Sequence, residues 1–185
     1  MEINKKNLTK YQKRIFNEYK ELLSIAHLDA EYILSQDSKL ITSGLKDIME
    51  QIIRSEIIKR YTMIEYQLEH TIEDYFFYNR SRDYNRVMRT RRYKTFHDII
   101  QRLSTRDKLK ILCSLYDIPN NICKTIHAIN DIRNVVAHSF FIFDLKKQRR
   151  LYKKINVFTL KGIEKFCDDA IEVHYFFDPW LKDIE

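Results

Sequence analysis

Glycine and proline each occur only twice among the 185 residues, and this scarcity limits the possible folds more than any other feature. Both residues interrupt helices, so a chain with so few of them can sustain long helices. Apolar residues recur at helical spacing from Leu45 to about Tyr78, the longest such segment. A helix of about 30 residues would be about 45 Å long. The sequence therefore predicts an all-α fold built around one long helix.

Further helices follow from start signals and apolar spacing. An amphipathic helix is predicted from about Leu8 to Leu34, and Thr42-Ser43-Gly44 is expected to precede the long helix. Ser104 and Asp107 have the spacing of a capping box, Pro119 is suited to the start of a helix that ends near His138, and Thr159 is suited to cap the last helix.

Aromatic and β-branched residues on both sides of Lys146 to Arg150 indicate a small β-hairpin between the last two helices. The length is typical of one domain. We therefore expect a single domain over residues 1–185, with four or five main helices and this hairpin.

The positive charge is concentrated in two segments of a chain whose net charge is +7. Residues 80–94 contain seven Arg or Lys residues and one Asp, with tyrosines between them. Residues 144–154 contain six Arg or Lys residues and one Asp. Arginine binds phosphates and tyrosine stacks on unpaired bases, which favours single-stranded RNA as a partner. A solvated connection between helices is the alternative. The predicted RNA-binding residues are Arg80, Arg82, Tyr84, Arg86, Arg89, Arg91, Arg92, Tyr93, Lys94, Lys146, Lys147, Arg149 and Arg150.

The segment from Asp131 to Ser139 contains the candidate catalytic residues Arg133, Asn134 and His138. Asn134 and His138 are four residues apart and share one face of the predicted helix, with Arg133 beside it. A permanent cation, an amide and an imidazole together suit a phosphate or the ribose 2′-hydroxyl next to it. A purely structural alternative has Arg133 paired with Asp131, Asn134 bonded to backbone and His138 capping the last helical carbonyls.

The string R-N-x-x-A-H at Arg133–His138 resembles the signature of the HEPN superfamily of small helical-bundle domains. The segment Arg106–Leu112 resembles, more weakly, a string that several HEPN branches carry before their signature helix. The resemblance implies a metal-independent ribonuclease that needs no cofactor. It also implies a homodimer, because HEPN nucleases bring two signature helices together and this chain has one.

The leading hypothesis is therefore a homodimeric, metal-independent endoribonuclease. The resemblance alone implies a toxin or anti-phage defence role and leaves room for an inhibitory or operon-encoded partner protein. The first alternative is a non-catalytic HEPN module that binds RNA or a protein through its basic face. The second is a structural dimerisation domain.

Other chemistries lack the residues they need. The sequence has no P-loop, no dinucleotide-binding glycine string and no H-E-x-x-H, and its histidines are not arranged as metal ligands. Cys113, Cys123 and Cys167 lack metal or disulfide spacing and suit a reducing compartment. No signal peptide or membrane span is evident, so a cytoplasmic protein is expected.

Overall fold

The computed structural model describes residues 9–25, 38–77, 84–139 and 150–178. Within those ranges it contains seven helices and one two-stranded antiparallel hairpin, which confirms the predicted all-α fold with a small β-hairpin. The helices are α1 (Lys10–Ile25), α2 (Ser38–Phe77), α3 (Tyr84–Met88), α4 (Arg91–Arg102), α5 (Thr105–Leu115), α6 (Asn120–His138) and α7 (Leu160–Phe177). The strands are β1 (Leu151–Tyr152) and β2 (Ile155–Asn156), between α6 and α7.

Three of the predicted helix starts are confirmed. Ser104 accepts a hydrogen bond from the Asp107 backbone at 3.2 Å, and Thr159 accepts one from Gly162 at the same distance. Pro119 immediately precedes α6. A short polar side chain satisfies a backbone donor that the helix leaves open. Ser104 and Thr159 therefore determine where α5 and α7 begin.

The predicted start of α2 is wrong by seven residues. The helix begins at Ser38, so Thr42-Ser43-Gly44 lies inside it. The penalty for one glycine within a helix is about 1 kcal/mol relative to alanine, which a 40-residue helix absorbs. At the other end the prediction is close, since α2 ends at Phe77.

The chain groups into two compact units, residues 1–52 and 53–185, and the division falls within α2. In the first unit, α1 carries an exposed ion pair between Arg14 and Glu18, one turn apart. The second unit contains the residues considered below. The predicted single domain remains a prediction, since a compact unit need not fold alone.

The core of the second unit is formed by one apolar face from each main helix. Residues of α2 recur at helical spacing and are fully buried, and α6 packs against α5, α7 and β1. The largest buried apolar side chains are Ile57, Ile64, Leu68, Ile72, Leu112, Ile126, Ile129, Tyr152, Val157, Phe166 and Val173. This packing fixes α6, so the polar side of α6 is held at the surface of the bundle.

None of the helices in the described ranges could cross a membrane. α2 is long enough, but charged side chains recur along it.

The hairpin turns at Lys153-Lys154, and this corrects the prediction of a turn near Lys146 to Arg150. Leu151 pairs with Asn156 and Tyr152 with Ile155. Lys153 and Lys154 have φ of 45° and 72°. A two-residue turn with both φ values positive matches the right-handed twist of paired strands, which explains the tight connection. Lys146, Lys147 and Arg149 lie outside the described residues.

The hairpin packs closely against the first turn of α7 at Gly162. A Cβ atom at this position would lie 1.9 Å from the carbonyl oxygen of Asn156. Only glycine permits this approach of two backbones.

Asp169 on α7 joins the hairpin to the helix through a buried carboxylate. It accepts hydrogen bonds from the Tyr152 hydroxyl at 2.9 Å and Lys165 Nζ at 2.8 Å, and Lys153 Nζ lies 2.9 Å away. Burial opposes ionisation, but the hydrogen bonds from Lys165, Lys153 and Tyr152 outweigh it and hold the pKa of Asp169 below its usual value. The carboxylate therefore stabilises the fold in its ionised form.

Asp169→Asn should lower the free energy of unfolding at pH 7 by on the order of 2–4 kcal/mol, because Lys153 and Lys165 lose their ionised partner. Since the folded-state pKa is depressed, this stabilisation is present above the unfolded pKa of about 3.9. It is lost as the pH falls through the folded-state pKa. Urea denaturation at pH 7 and between pH 5 and 2.5 measures the difference from wild type, which should shrink below about pH 4.

Asp168→Asn is the matched control, because Asp168 is the exposed neighbour of Asp169. It should change stability by less than about 0.5 kcal/mol. Equal losses of unfolding free energy in the two variants would contradict the stabilising role of the Asp169 carboxylate.

Candidate functional site

The candidate catalytic residues lie in the last two turns of α6. Its apolar residues Ile122, Ile126, Ile129, Ile132 and Val136 are buried. Arg133 and Asn134 are half-buried, whereas His138 is exposed. The burial of one side of α6 therefore positions these polar side chains at the margin of the core.

Arg133 is oriented by an aromatic ring and by its own neighbour. Its guanidinium carbon lies 4.6 Å from the centroid of the Tyr61 ring on α2, and Nη1 donates a hydrogen bond to Asn134 Oδ1 at 3.0 Å. Its Nε is buried and has no hydrogen-bond partner in the part of the chain that the structure describes. A guanidinium above a ring keeps its charge and most of its donors. Arg133 is therefore held in place without a bond to any carboxylate in the described ranges.

The ion pair between Arg133 and Asp131 that the structural alternative required is absent from the described residues. Asp131 instead accepts a hydrogen bond from Arg106 at the start of α5, at 2.9 Å. The charge of Arg133 is thus not neutralised by its nearest acid in sequence.

Arg133 and Asn134 open onto a polar pocket of about 490 Å³. Pockets of about 300–1,000 Å³ are typical of small-ligand sites, so this one has room for a phosphodiester with its sugar. The pocket lies where α2, α5 and α6 meet, and its lining is Tyr61, Glu65, Ser104, Thr105, Arg106, Asn130, Arg133 and Asn134. Of its two arginines, Arg106 already pairs with Asp131, so Arg133 is the side chain that suits an anion here.

A buried hydrogen-bond network fixes the floor of the pocket. The Tyr61 hydroxyl lies 2.6 Å from Thr105 Oγ1, and Thr105 donates to Glu65 Oε1 at 3.2 Å. Lys108, whose side chain is 1% exposed, lies 3.3 Å from Glu65 and 2.6 Å from Glu69. Burial raises the pKa of Tyr61, so the phenol stays protonated. Because Lys108 is shared by Glu65 and Glu69, these three side chains carry one net negative charge, and Glu65 is only partly offset in the pocket that Arg133 also lines.

His138 is the last residue of α6, and its imidazole makes no hydrogen bond or ion pair within the described part of the chain. Its predicted alternative role, capping the helix, is performed by Arg54 of α2. Arg54 Nη1 donates to the carbonyls of Val136 at 2.8 Å and Ser139 at 2.7 Å. His138 does not line the pocket. It lies one turn beyond Asn134 on the same face, about 6 Å along the axis, with its imidazole exposed to solvent.

The predicted RNA-binding residues divide by burial. Five cations between residues 86 and 94 are exposed, namely Arg86, Arg89, Arg91, Arg92 and Lys94. Tyr93 is 5% exposed and its hydroxyl donates to the buried Glu73 at 2.7 Å. The expectation that Tyr93 stacks on a base is therefore wrong for this conformation, because its ring lies in the core.

The other predicted RNA-binding residues are less well defined. Tyr84 is the first residue of α3, and Arg150 is half-buried immediately before β1. Arg80 and Arg82 lie outside the described residues, as do Lys146, Lys147 and Arg149.

The pocket and its floor also contain four residues that were not predicted from the sequence, namely Tyr61, Glu65, Arg106 and Lys108. One signal was present: Glu65, Glu69 and Glu73 recur every four residues on the longest helix. Acids that recur beside the buried face of a helix require partners opposite them, and Lys108 is one. The sequence does not identify which cation lies opposite these acids, because the pairing joins residues about 40 positions apart, such as Lys108 and Glu65.

Arg54→Met should lower the free energy of unfolding by about 1.5–3 kcal/mol, because two carbonyls at the end of α6 lose a charged donor. Chemical denaturation measures the loss. Lys59→Met is the control on the same helix, since the one ion pair of Lys59 with another described residue is the exposed pair with Glu56, and it should change stability by less than about 1 kcal/mol. A loss no larger in Arg54→Met than in the control would refute the role of Arg54.

The chain matches no protein-family model, no curated protein and no solved structure. The similarity to HEPN domains is therefore carried by the residues around Arg133 and His138, and membership of that family stays a prediction.

Proposed function

We propose that this chain is a metal-independent endoribonuclease that acts as a homodimer. The arrangement of Arg133 carries the proposal: it rests on the Tyr61 ring, bonds to Asn134 and opens onto a polar pocket. The exposed imidazole of His138 lies one turn further along the same helix. A fixed cation beside a proton acceptor is what cleavage of a phosphodiester by a neighbouring hydroxyl requires.

In the proposed reaction, His138 removes the proton from a ribose 2′-hydroxyl. The resulting oxygen attacks the adjacent phosphorus, and the bond from phosphorus to the 5′-oxygen breaks. The products are a 2′,3′-cyclic phosphate and a free 5′-hydroxyl. Arg133 binds the non-bridging oxygens and stabilises the negative charge that increases in the transition state. Asn134 holds the guanidinium in place through the observed hydrogen bond.

The leaving 5′-oxygen needs a proton, and one Arg/His pair per chain leaves no second acid in this assignment. Two copies that present their α6 ends to one cleft would provide it, with His138 of one copy as base and the partner's His138 as acid. The exposure of His138 supports this arrangement, because the side chain is open to a second copy.

The biological role proposed with this activity is that of a toxin or anti-phage effector in the cytoplasm, restrained by a partner protein. It follows from the HEPN resemblance. Slower growth of a host expressing the wild-type chain, relieved by His138→Ala, would support it.

A non-catalytic module that binds RNA or a protein is the second candidate. The exposed cations from Arg86 to Lys94 favour it, because they provide a polyanion-binding surface whether or not His138 acts. Binding that falls steeply with salt, without any cleavage, would select this candidate.

His138→Ala and Arg133→Ala should each reduce cleavage of unstructured RNA at least a hundredfold, because one loses the base and the other the phosphate-binding charge. Purified protein is incubated with end-labelled RNA in EDTA, and the products are tested for a 2′,3′-cyclic phosphate. Arg133→Lys should recover only part of the activity, since an ammonium lacks the planar donor set of the guanidinium.

His127→Ala is the matched control, because His127 is exposed on the same helix and does not line the pocket. It should cleave like wild type. Activity unaffected by His138→Ala, or lost in EDTA and restored by a divalent metal, would exclude the mechanism.

The homodimer is tested by sedimentation and by mixing. The chain should sediment as a dimer at micromolar concentration. If each site uses two imidazoles, a dimer of one wild-type and one His138→Ala subunit should be as inactive as the double variant. A monomer that cleaves at full rate would rule out the shared site.

A further inference from the structure

A second pocket, of about 510 Å³, lies where the end of α2 meets α4. Its walls are the rings of Phe76, Phe77 and Phe96 with Ile99, and Arg91 and Arg92 stand at its margin. The ring centroid of Phe96 lies 5.1 Å from that of Phe76 and from that of Phe77. The proposed reaction uses none of these residues.

Part of the apolar wall of this pocket is exposed. Phe76 is 50% exposed and Ile99 is 55% exposed. Exposed apolar surface that borders charged residues commonly marks a binding site. The ring of Phe76 is therefore available to a ligand, whereas the nearby Tyr93 is not.

Positive charge is concentrated on one side of the pocket, and Asp98 is an exposed acid next to Ile99. The residues from Arg86 to Lys94 include five exposed cations and no acid. The guanidinium of Arg92 lies 5.6 Å from the centroid of the Phe77 ring, so positive charge and aromatic surface are in direct contact. This composition suits a ligand that is both flat and anionic.

We propose that this pocket binds an unpaired base of single-stranded RNA. The base stacks on the phenylalanine rings, and Arg91 and Arg92 hold the flanking phosphates, as in proteins that combine stacking platforms with basic grooves. The charge complementarity selects RNA over an apolar peptide or a second copy of the chain. The proposal extends the proposed function, on which it rests for its choice of RNA.

The position of the pocket gives it a role separate from cleavage. Tyr61 and Phe76 are fifteen residues apart on α2, which is about 22 Å along the helix axis. A base in this pocket therefore belongs to a nucleotide some distance from the phosphate at Arg133. It anchors the strand and does not take part in the reaction.

Binding of fluorescein-labelled twelve-nucleotide RNA to the His138→Ala chain tests the proposal by fluorescence anisotropy, since this variant should bind without cleaving. Phe76→Ala should raise Kd about tenfold, the usual effect of losing one base-stacking ring. Phe76→Leu should be nearly as weak, because it keeps apolar volume but removes the ring. Arg92→Gln should also weaken binding and reduce its dependence on salt.

An abasic oligonucleotide of the same length separates stacking from charge, because it keeps every phosphate. To the His138→Ala chain, which retains Phe76, it should bind about tenfold more weakly than the normal strand does. To the chain that also carries Phe76→Ala, the abasic and normal strands should bind equally well. Tyr175→Ala is the control variant, since Tyr175 is 56% exposed and does not line the pocket. Circular dichroism confirms that each variant is folded.

Equal binding of normal and abasic strands to the Phe76 chain would overturn the proposal, and so would an unchanged Kd in Phe76→Ala, or no RNA binding. If an acidic peptide bound in a Phe76-dependent manner and RNA did not, the pocket would be a protein site. The two proposals fail separately. Cleavage with no effect of Phe76 would leave the nuclease standing, and Phe76-dependent binding without cleavage would leave the base site standing.

Discussion

The buried ammonium of Lys108 is the constraint on which the candidate site depends. An unpaired buried charge costs several kcal/mol, and the 1% exposed Lys108 is paired with both Glu65 and Glu69. The pairing of this ammonium with the two carboxylates fixes the distance and rotation between α2 and α5. Glu65 in turn binds Thr105, and Thr105 binds the Tyr61 hydroxyl. The ring that supports Arg133 is therefore positioned by a charge cluster several side chains away.

Much of the fold could be predicted from local signals. The capping residues Ser104 and Thr159 act within three positions of themselves, and the apolar spacing of α2 and α6 reflects the period of the helix. The errors occurred where local signals were ambiguous. Thr42-Ser43-Gly44 weakens a helix without ending it, and the turn at Lys153-Lys154 uses positive φ values that lysine does not signal.

The candidate site could be predicted only in its local part. Arg133 and Asn134 are neighbours in sequence, and their hydrogen bond lies within the segment that the pattern identified. The residues that hold this segment in place are 72 and 82 positions away: the Tyr61 ring contacts Arg133, and Arg54 binds the carbonyl of Val136. No periodicity encodes such pairs. Tyr93 shows the converse. The composition of the basic segment around it favoured an RNA contact, but the bond to Glu73 places its ring in the core.

One helix links the two pockets. α2 contributes Tyr61 and Glu65 to the polar pocket and Phe76 and Phe77 to the aromatic one. Because a helix transmits position rigidly over this length, their separation does not depend on a flexible connection. A strand held at the aromatic pocket would meet Arg133 at a fixed spacing along its backbone. Under both proposals, cleavage would then be selected by the distance from an anchored base and not by the sequence at the cut, as expected of a site that is proposed to bind only phosphate and sugar.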